Sequence, residues 1–213
     1  MADPAGLISA NSENFLVSLN GNIMPLAQIC FQWDDTRMGG VMESFLVGLK
    51  DGRLSKFYSP VTDPTLYADH PTVPYKGIRN GSYNIAKADK VPYSKASNDF
   101  NNAQTRRAFT ASEVAFLKAE AALRGWAGAG SAKTNYETGV KLSFDDWGAG
   151  GADAYLADAT SKPINYVDPI DSRNNFTAPS TITVAWNEAD ARELKLEKIL
   201  TQKYLATFTN TLE

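Results

Sequence analysis

Residues 110–147 give the clearest signal in the chain, a pair of helices. Thr110-Ala111-Ser112-Glu113 fits the capping box, in which the threonine hydroxyl accepts the amide three residues on and the glutamate reaches back. Val114, Leu117 and Ala121 then form one stripe. Ala115, Ala119 and Ala122 form a second ridge of small residues, which lets another helix approach closely. Gly125 to Ser131 breaks the helix, and a second one follows from about Ala132 with Tyr136, Val140, Phe144 and Trp147 on one face. This is an antiparallel helix hairpin. Trp126, Tyr136, Phe144 and Trp147 sit at helical spacing and are expected in the core.

The rest of the 213-residue chain, about one domain in length, is organised around this pair. The short run Phe15–Leu19, stopped by Asn20-Gly21-Asn22, reads as a hairpin arm. Residues 36–49 read as a helix, with Met38, Val41, Met42, Phe45, Leu46 and Leu49 on its apolar stripe. Residues 59–108 are rich in turn formers and carry Tyr67, Tyr75, Tyr83 and Tyr93; long irregular stretches of this kind are often functional. A short helix is expected near Ala152 to Ala159, a strand at Thr181–Val184, and a helix from an Asn187 cap to about Thr207. The apolar stripe of that last helix is Leu196, Ile199, Leu200, Tyr204 and Phe208. The hairpin resembles one tetratricopeptide-type unit, with no second copy in the chain.

Charge and composition exclude several functions. A net charge of −3 argues against nucleic acid, whose binders carry a basic excess. No run of about 18 apolar residues is present to cross a membrane. Cys30, the one cysteine, reads as a small buried residue, and His70, the one histidine, as a solvated loop residue. Met1 to Gly6 show no secretory signal, and the apolar stripe still runs at Tyr204, Leu205 and Phe208 near the end, so the chain is expected to be a piece of a longer one.

Several blocks in one order resemble the SusD/RagB family of outer-membrane nutrient-binding lipoproteins, in its starch-binding-associated subgroup. They are Thr110–Trp126, Tyr136–Phe144, Ile199–Ala206, Trp33–Met38 followed by Met42–Leu46, Asp51–Leu54, and Tyr75–Gly81, within a resemblance running from about Asp3 to Glu213. The resemblance implies a mainly α, SusD-like fold: a tetratricopeptide-type helix hairpin plus a long irregular, loop-rich region with a few short strands. The chain then reads as a single region 1–213, with a loop-rich part carrying one helix (1–109), the hairpin (110–147), and loops with a C-terminal helix (148–213). The family implies binding of an oligosaccharide or other oligomeric nutrient at the cell surface, without catalysis or cofactor. Its members cap a TonB-dependent outer-membrane transporter, and touch the membrane only through a lipid anchor, which is expected to lie outside this chain. They are also longer than this chain, so part of the helical scaffold is expected to be missing. Were that part to cover Ala115, Ala119 and Ala122, this chain would expose an apolar patch there.

Sugar rings stack their C–H faces on aromatic side chains, while amides and charged groups reach the hydroxyls. The loop aromatics Trp33, Tyr67, Tyr75, Tyr83, Tyr93, Tyr155 and Tyr166 are the candidate platforms, with Arg79, Asn80, Asp168 and Arg173 as polar partners. Asp34-Asp35, Asp145-Asp146 and Asp153 could in principle form a glycosidase pair or hold calcium, but adjacent acids rarely face one another and no EF-hand spacing is present. The rival to a ligand site is a protein-interaction module that docks the transporter.

Overall fold

The Thr110 hydroxyl accepts a hydrogen bond from the Glu113 amide at 3.3 Å, so the first helix of the pair starts at its sequence cap. A computed structural model describes residues 6–22, 25–83 and 86–209; the sequence readings at Met1–Ala5, at the Met24 preceding Cys30 and beyond Thr209 lie outside them. In chain order the regular elements are β1 (Phe15–Ser18), α1 (Pro25–Ala27), α2 (Gly40–Gly48), α3 (Leu54–Phe57), α4 (Lys87–Lys90), β2 (Thr105–Phe109), α5 (Ala111–Leu123), α6 (Ala132–Asp146), α7 (Ala152–Ala157) and α8 (Arg192–Ala206). Short 3₁₀ and π turns separate them. No helix among the described residues is long and apolar enough to cross a membrane. The chain forms two compact units, each built from segments distant in sequence.

The first unit takes the chain up to Leu19, then Thr105–Thr160, then the part from Ile182 on. The α5–α6 pair is its centre. Gly125, Gly128 and Gly130 have φ near +80° and turn the chain between the helices, and the Ser131 hydroxyl caps α6 by accepting the Thr134 amide. The helices approach closely at Gly139, where a Cβ would lie 2.8 Å from the Phe116 ring. Tyr136, fully buried, meets Phe116 edge-on and donates its hydroxyl to the Val184 carbonyl at 2.8 Å. Phe144 packs on Tyr155, whose hydroxyl accepts Gln202 of α8 at 2.8 Å.

Several sequence expectations are corrected in this unit. β1 is not a local hairpin arm: it pairs antiparallel with β2, Leu16 opposite Arg107 and Val17 opposite Arg106. Ile182 and Val184 are buried but form no strand; the Val184 carbonyl is taken by a side chain rather than a ladder. Asn187 closes an Asx turn onto the Ala189 amide instead of capping α8, whose N-cap is Ala191. The buried face of α8 is Ile199, Gln202, Leu205 and Ala206 with Lys198, leaving Leu200 and Tyr204 exposed. Polar residues enter that face because they find partners: Lys198 Nζ bonds the Ala185 carbonyl and Asp190. Leu117 is exposed, and Trp126, 61 % exposed beyond the end of α5, is not in the core. Ala115 and Ala119 are buried within the chain itself, so they present no open apolar ridge.

The second unit takes Asn20–Gln104 and Ser161–Thr181. Its helix begins at Gly40, later than expected, because Met38 and Gly39 run alongside Ile78 in a parallel bridge: Ile78 N donates to the Met38 carbonyl and Gly40 N to the Ile78 carbonyl, both at 2.8 Å. Met38, Leu46 and Leu49 are fully buried, Val41 is not. Segment 161–164 lies against α2 at Gly48, where a Cβ would meet the Lys162 carbonyl oxygen at 2.4 Å. Ser44 holds the same segment: its hydroxyl donates to the Ile164 carbonyl, and its carbonyl accepts the Ile164 amide. Cys30 is buried as expected. With so little regular structure, large side chains of the loops fill the core; Tyr93 packs with Val61, Leu66 and Ile78.

Candidate functional site

A polar centre lies inside the second unit, built by α2 and the loop before Ile78. The face of α2 that buries Met42 and Leu46 also buries Glu43. One Glu43 oxygen, Oε2, accepts the Gly77 amide at 2.6 Å; the other, Oε1, accepts Lys76 Nζ at 2.8 Å. Lys76 Nζ also reaches both oxygens of Asp69, at 3.0 and 3.1 Å. His70 is part of this network rather than a solvated loop residue: Nε2 lies 3.0 Å from Glu43 Oε1, and Nδ1 3.0 Å from the Val73 carbonyl. Both facing atoms are acceptors, which the imidazolium satisfies. Burial opposes that charge, but the Glu43 hydrogen bond and the charges of Asp69 and Glu43 outweigh it and raise the His70 pKa. Glu43, Asp69 and His70 offer ligand atoms within 4.8 Å of one another, the spacing of a cation site, and the Lys76 ammonium already answers both carboxylates. Glu43 and Lys76 lie at the buried end of the network and Asp69 at its exposed edge; with His70 protonated the two cations balance the two carboxylates.

The structure divides the candidate aromatics sharply. Tyr93, Tyr155 and Tyr166 are 2, 5 and 1 % exposed and cannot stack on a ligand. The Tyr166 hydroxyl lies 3.0 Å from the Gly77 carbonyl and 3.2 Å from Asp168, with the ring stacked on Phe176 and Lys76 Nζ 5.0 Å from its centroid. Burial, with the charges of Asp168 and Glu43, pushes the Tyr166 and Tyr93 phenols well above their ordinary value. Asp168 is likewise buried, its oxygens taken by Tyr166 and by the Ile170 and Asp171 amides. A tyrosine in a loop gives no sequence sign of whether its hydroxyl reaches a carbonyl or water, so the pattern could not separate these rings from exposed ones.

Trp33 and Tyr83 are 53 and 56 % exposed, while Tyr67 and Tyr75 are half-buried. The Tyr67 ring lies nearly parallel to His70. The Arg173 guanidinium sits 5.1 Å over the Tyr83 ring, held by Asp171 at 2.6 Å, and the Tyr83 amide donates to Asn174 Oδ1. A cleft of about 370 Å³ is lined by Asp35, Arg37, Arg79, Asn80, Ser82 and Lys90 among others. Arg37 shapes it by donating to the Lys90 and Val91 carbonyls while pairing with Asp34. Arg37, Lys90 and the Glu43 network were missed from sequence. The signal for Glu43 was a lone acid inside an apolar helical stretch. Arg37 and Lys90 gave none.

The acids that could have made a catalytic pair are spent elsewhere. Asp34 pairs with Arg37 and Lys95, Asp35 with Lys87, Asp146 with Arg107 and Asp153 with Lys141, while Asp145 accepts the Asn11 amide.

A search of the curated proteins finds no match. Among solved structures, a chitin-binding SusD homologue from Flavobacterium johnsoniae is 35 % identical with a TM-score of 0.87, over 96 % of this chain and 41 % of that one. A SusD homologue from Bacteroides thetaiotaomicron is 37 % identical with a TM-score of 0.86, over 97 % of this chain and 42 % of its own. Another from Bacteroides vulgatus is 35 % identical with a TM-score of 0.84, over 96 % and 41 %. The chain therefore spans about two fifths of the length of these relatives. The mainly α architecture, with one two-stranded ribbon among the described residues, agrees with them. The family model for Susd and RagB outer membrane lipoproteins matches residues 1–213, and the chain belongs to that SusD-like family.

Proposed function

We propose that the chain is the ligand-facing part of a non-catalytic surface protein. It binds a glycan or a similar oligomeric nutrient for delivery to a TonB-dependent outer-membrane transporter, and is held at the outer membrane by a lipid anchor. The observation that carries this reading is the pair Trp33 and Tyr83, exposed rings at the sequence edges of the cleft segments Asp35–Arg37 and Arg79–Ser82. Flat apolar rings beside hydrogen-bonding groups suit a sugar, whose faces are apolar and whose edges are hydroxyls. Tyr67 and Tyr75, with Asn80, are the remaining proposed contacts; Tyr93, Tyr155 and Tyr166 are withdrawn. The ion pairing of the candidate acids supports binding without chemistry.

The test is a fluorescence and calorimetric titration with oligosaccharides, beginning with chito-oligosaccharides because one relative is described as chitin-binding. Trp33→Ala or Tyr83→Ala should weaken binding about fivefold, corresponding to about 1 kcal/mol for an aromatic contact. Binding untouched by both substitutions would move the site elsewhere. Reducing-end release that depends on a carboxylate would refute the non-catalytic part.

A further inference from the structure

The charges around the cleft are unevenly matched. Arg37 and Lys95 share Asp34, Lys87 holds Asp35 at 2.6 Å, and Arg173 holds Asp171. Arg79 and Lys90 both line the cleft, and neither has a carboxylate partner among the described residues. Arg79 Nη1 donates to the Arg173 and Asn175 carbonyls, at 3.2 and 3.4 Å. That grip fixes the guanidinium plane, while Nε and Nη2 take no acceptor among the described residues. The lining holds Arg37, Arg79 and Lys90 against one acid, Asp35; Asp34 answers Arg37 and Lys87 answers Asp35, which leaves Arg79 and Lys90 as the lining cations without a carboxylate at ion-pair distance among the described residues. A fixed guanidinium fork matches a carboxylate in two parallel hydrogen bonds, and an ammonium adds a point charge.

We infer that the cleft selects an acidic glycan, one whose rings carry carboxylates, with Arg79 and Lys90 as the specificity-determining residues. This deepens the reading of the same site as a glycan-binding one and rests on it. Sulfated rings share the anionic chemistry and form a separate arm of the test.

The full 213-residue chain is titrated with oligomers of galacturonate, glucuronate and mannuronate, with their methyl esters, with a sulfated oligosaccharide, and with neutral chito- and malto-oligosaccharides. The esters keep every ring and hydroxyl and lose only the charge. At least one uronate should bind about tenfold more tightly than its ester, with the advantage shrinking as salt is raised. Lys90→Gln should erase most of that advantage, and Lys90→Arg should restore it. Arg79→Lys should narrow the preference for carboxylate, because it loses the fork and keeps the charge. Equal binding of acid and ester, or binding of neutral oligomers alone, overturns the charge selection and leaves the glycan-binding reading intact. Stronger binding of the sulfated probe than of every uronate overturns the carboxylate assignment. No binding of any oligosaccharide overturns both readings.

Discussion

The Lys76 ammonium and the Glu43 carboxylate meet at 2.8 Å with both side chains wholly enclosed. Neither charge could stay there alone. Glu43 is further satisfied by the Gly77 amide and His70, and Lys76 by Asp69. Taking out one partner strands the other in a medium that solvates charge poorly, which typically costs about 3–5 kcal/mol. Lys76→Met should therefore destabilise the chain by that order in chemical denaturation. A loss under about 1 kcal/mol would mean that water reaches Glu43.

His70 makes the same network sensitive to pH. Its folded pKa is raised above the ordinary 6.5, so its contribution is complete below about 6.5 and disappears as pH rises through the folded value. The melting temperature should fall over that window. The chain has one histidine, so a single imidazole resonance reports the titration directly. In His70→Gln the fall should vanish; an unchanged pH profile would assign it to other groups.

Tyr166 should separate stability from binding. Tyr166→Phe removes the hydroxyl that meets the buried Gly77 carbonyl, at a cost of about 1–3 kcal/mol. Glycan affinity should stay within about twofold, because the ring lies under the surface and meets no ligand. A selective loss of affinity at unchanged stability would restore Tyr166 to the site.

Gly48 tests the packing of α2, and Gly150, which has open space around it, serves as the control. Gly48→Ala puts a Cβ within 2.4 Å of the Lys162 carbonyl oxygen, backbone that cannot rotate away. Overpacking of this kind costs about 1–3 kcal/mol, more than the gain of about 1 kcal/mol in helix propensity. Gly150→Ala meets nothing within 4 Å and should be neutral or slightly stabilising. Thermal melts of the two variants should move in opposite directions or differ by several degrees.

The helix pair was legible because its signals are local: Thr110 and Ser131 cap through their own neighbours, and Gly125–Ser131 supplies the turn. The elements misread depend on distant partners. The strand Phe15–Ser18 looked like a hairpin arm because its partner lies at Thr105–Phe109. Val184 looked like a strand residue because nothing local shows that Tyr136 claims its carbonyl. Trp126 followed helical spacing past Gly125, where the helix had already ended. At the site, residue type identified the two exposed rings along with the buried ones. The charge imbalance at Arg79 and Lys90 became visible only when each neighbouring cation was seen with its acid.

The interleaving of the two units sets the order in which the chain can become stable as it is made. Once made, β1 waits some ninety residues for β2, and the α5–α6 pair lacks α8 until Arg192–Ala206 has followed it. The second unit is equally unfinished, since α2 needs the segment at Ile164 that Ser44 grips. A chain ending after Thr160 would lose a component of each unit. Its nascent form must therefore keep two incomplete cores from aggregating until residues well beyond Lys90 have left the ribosome.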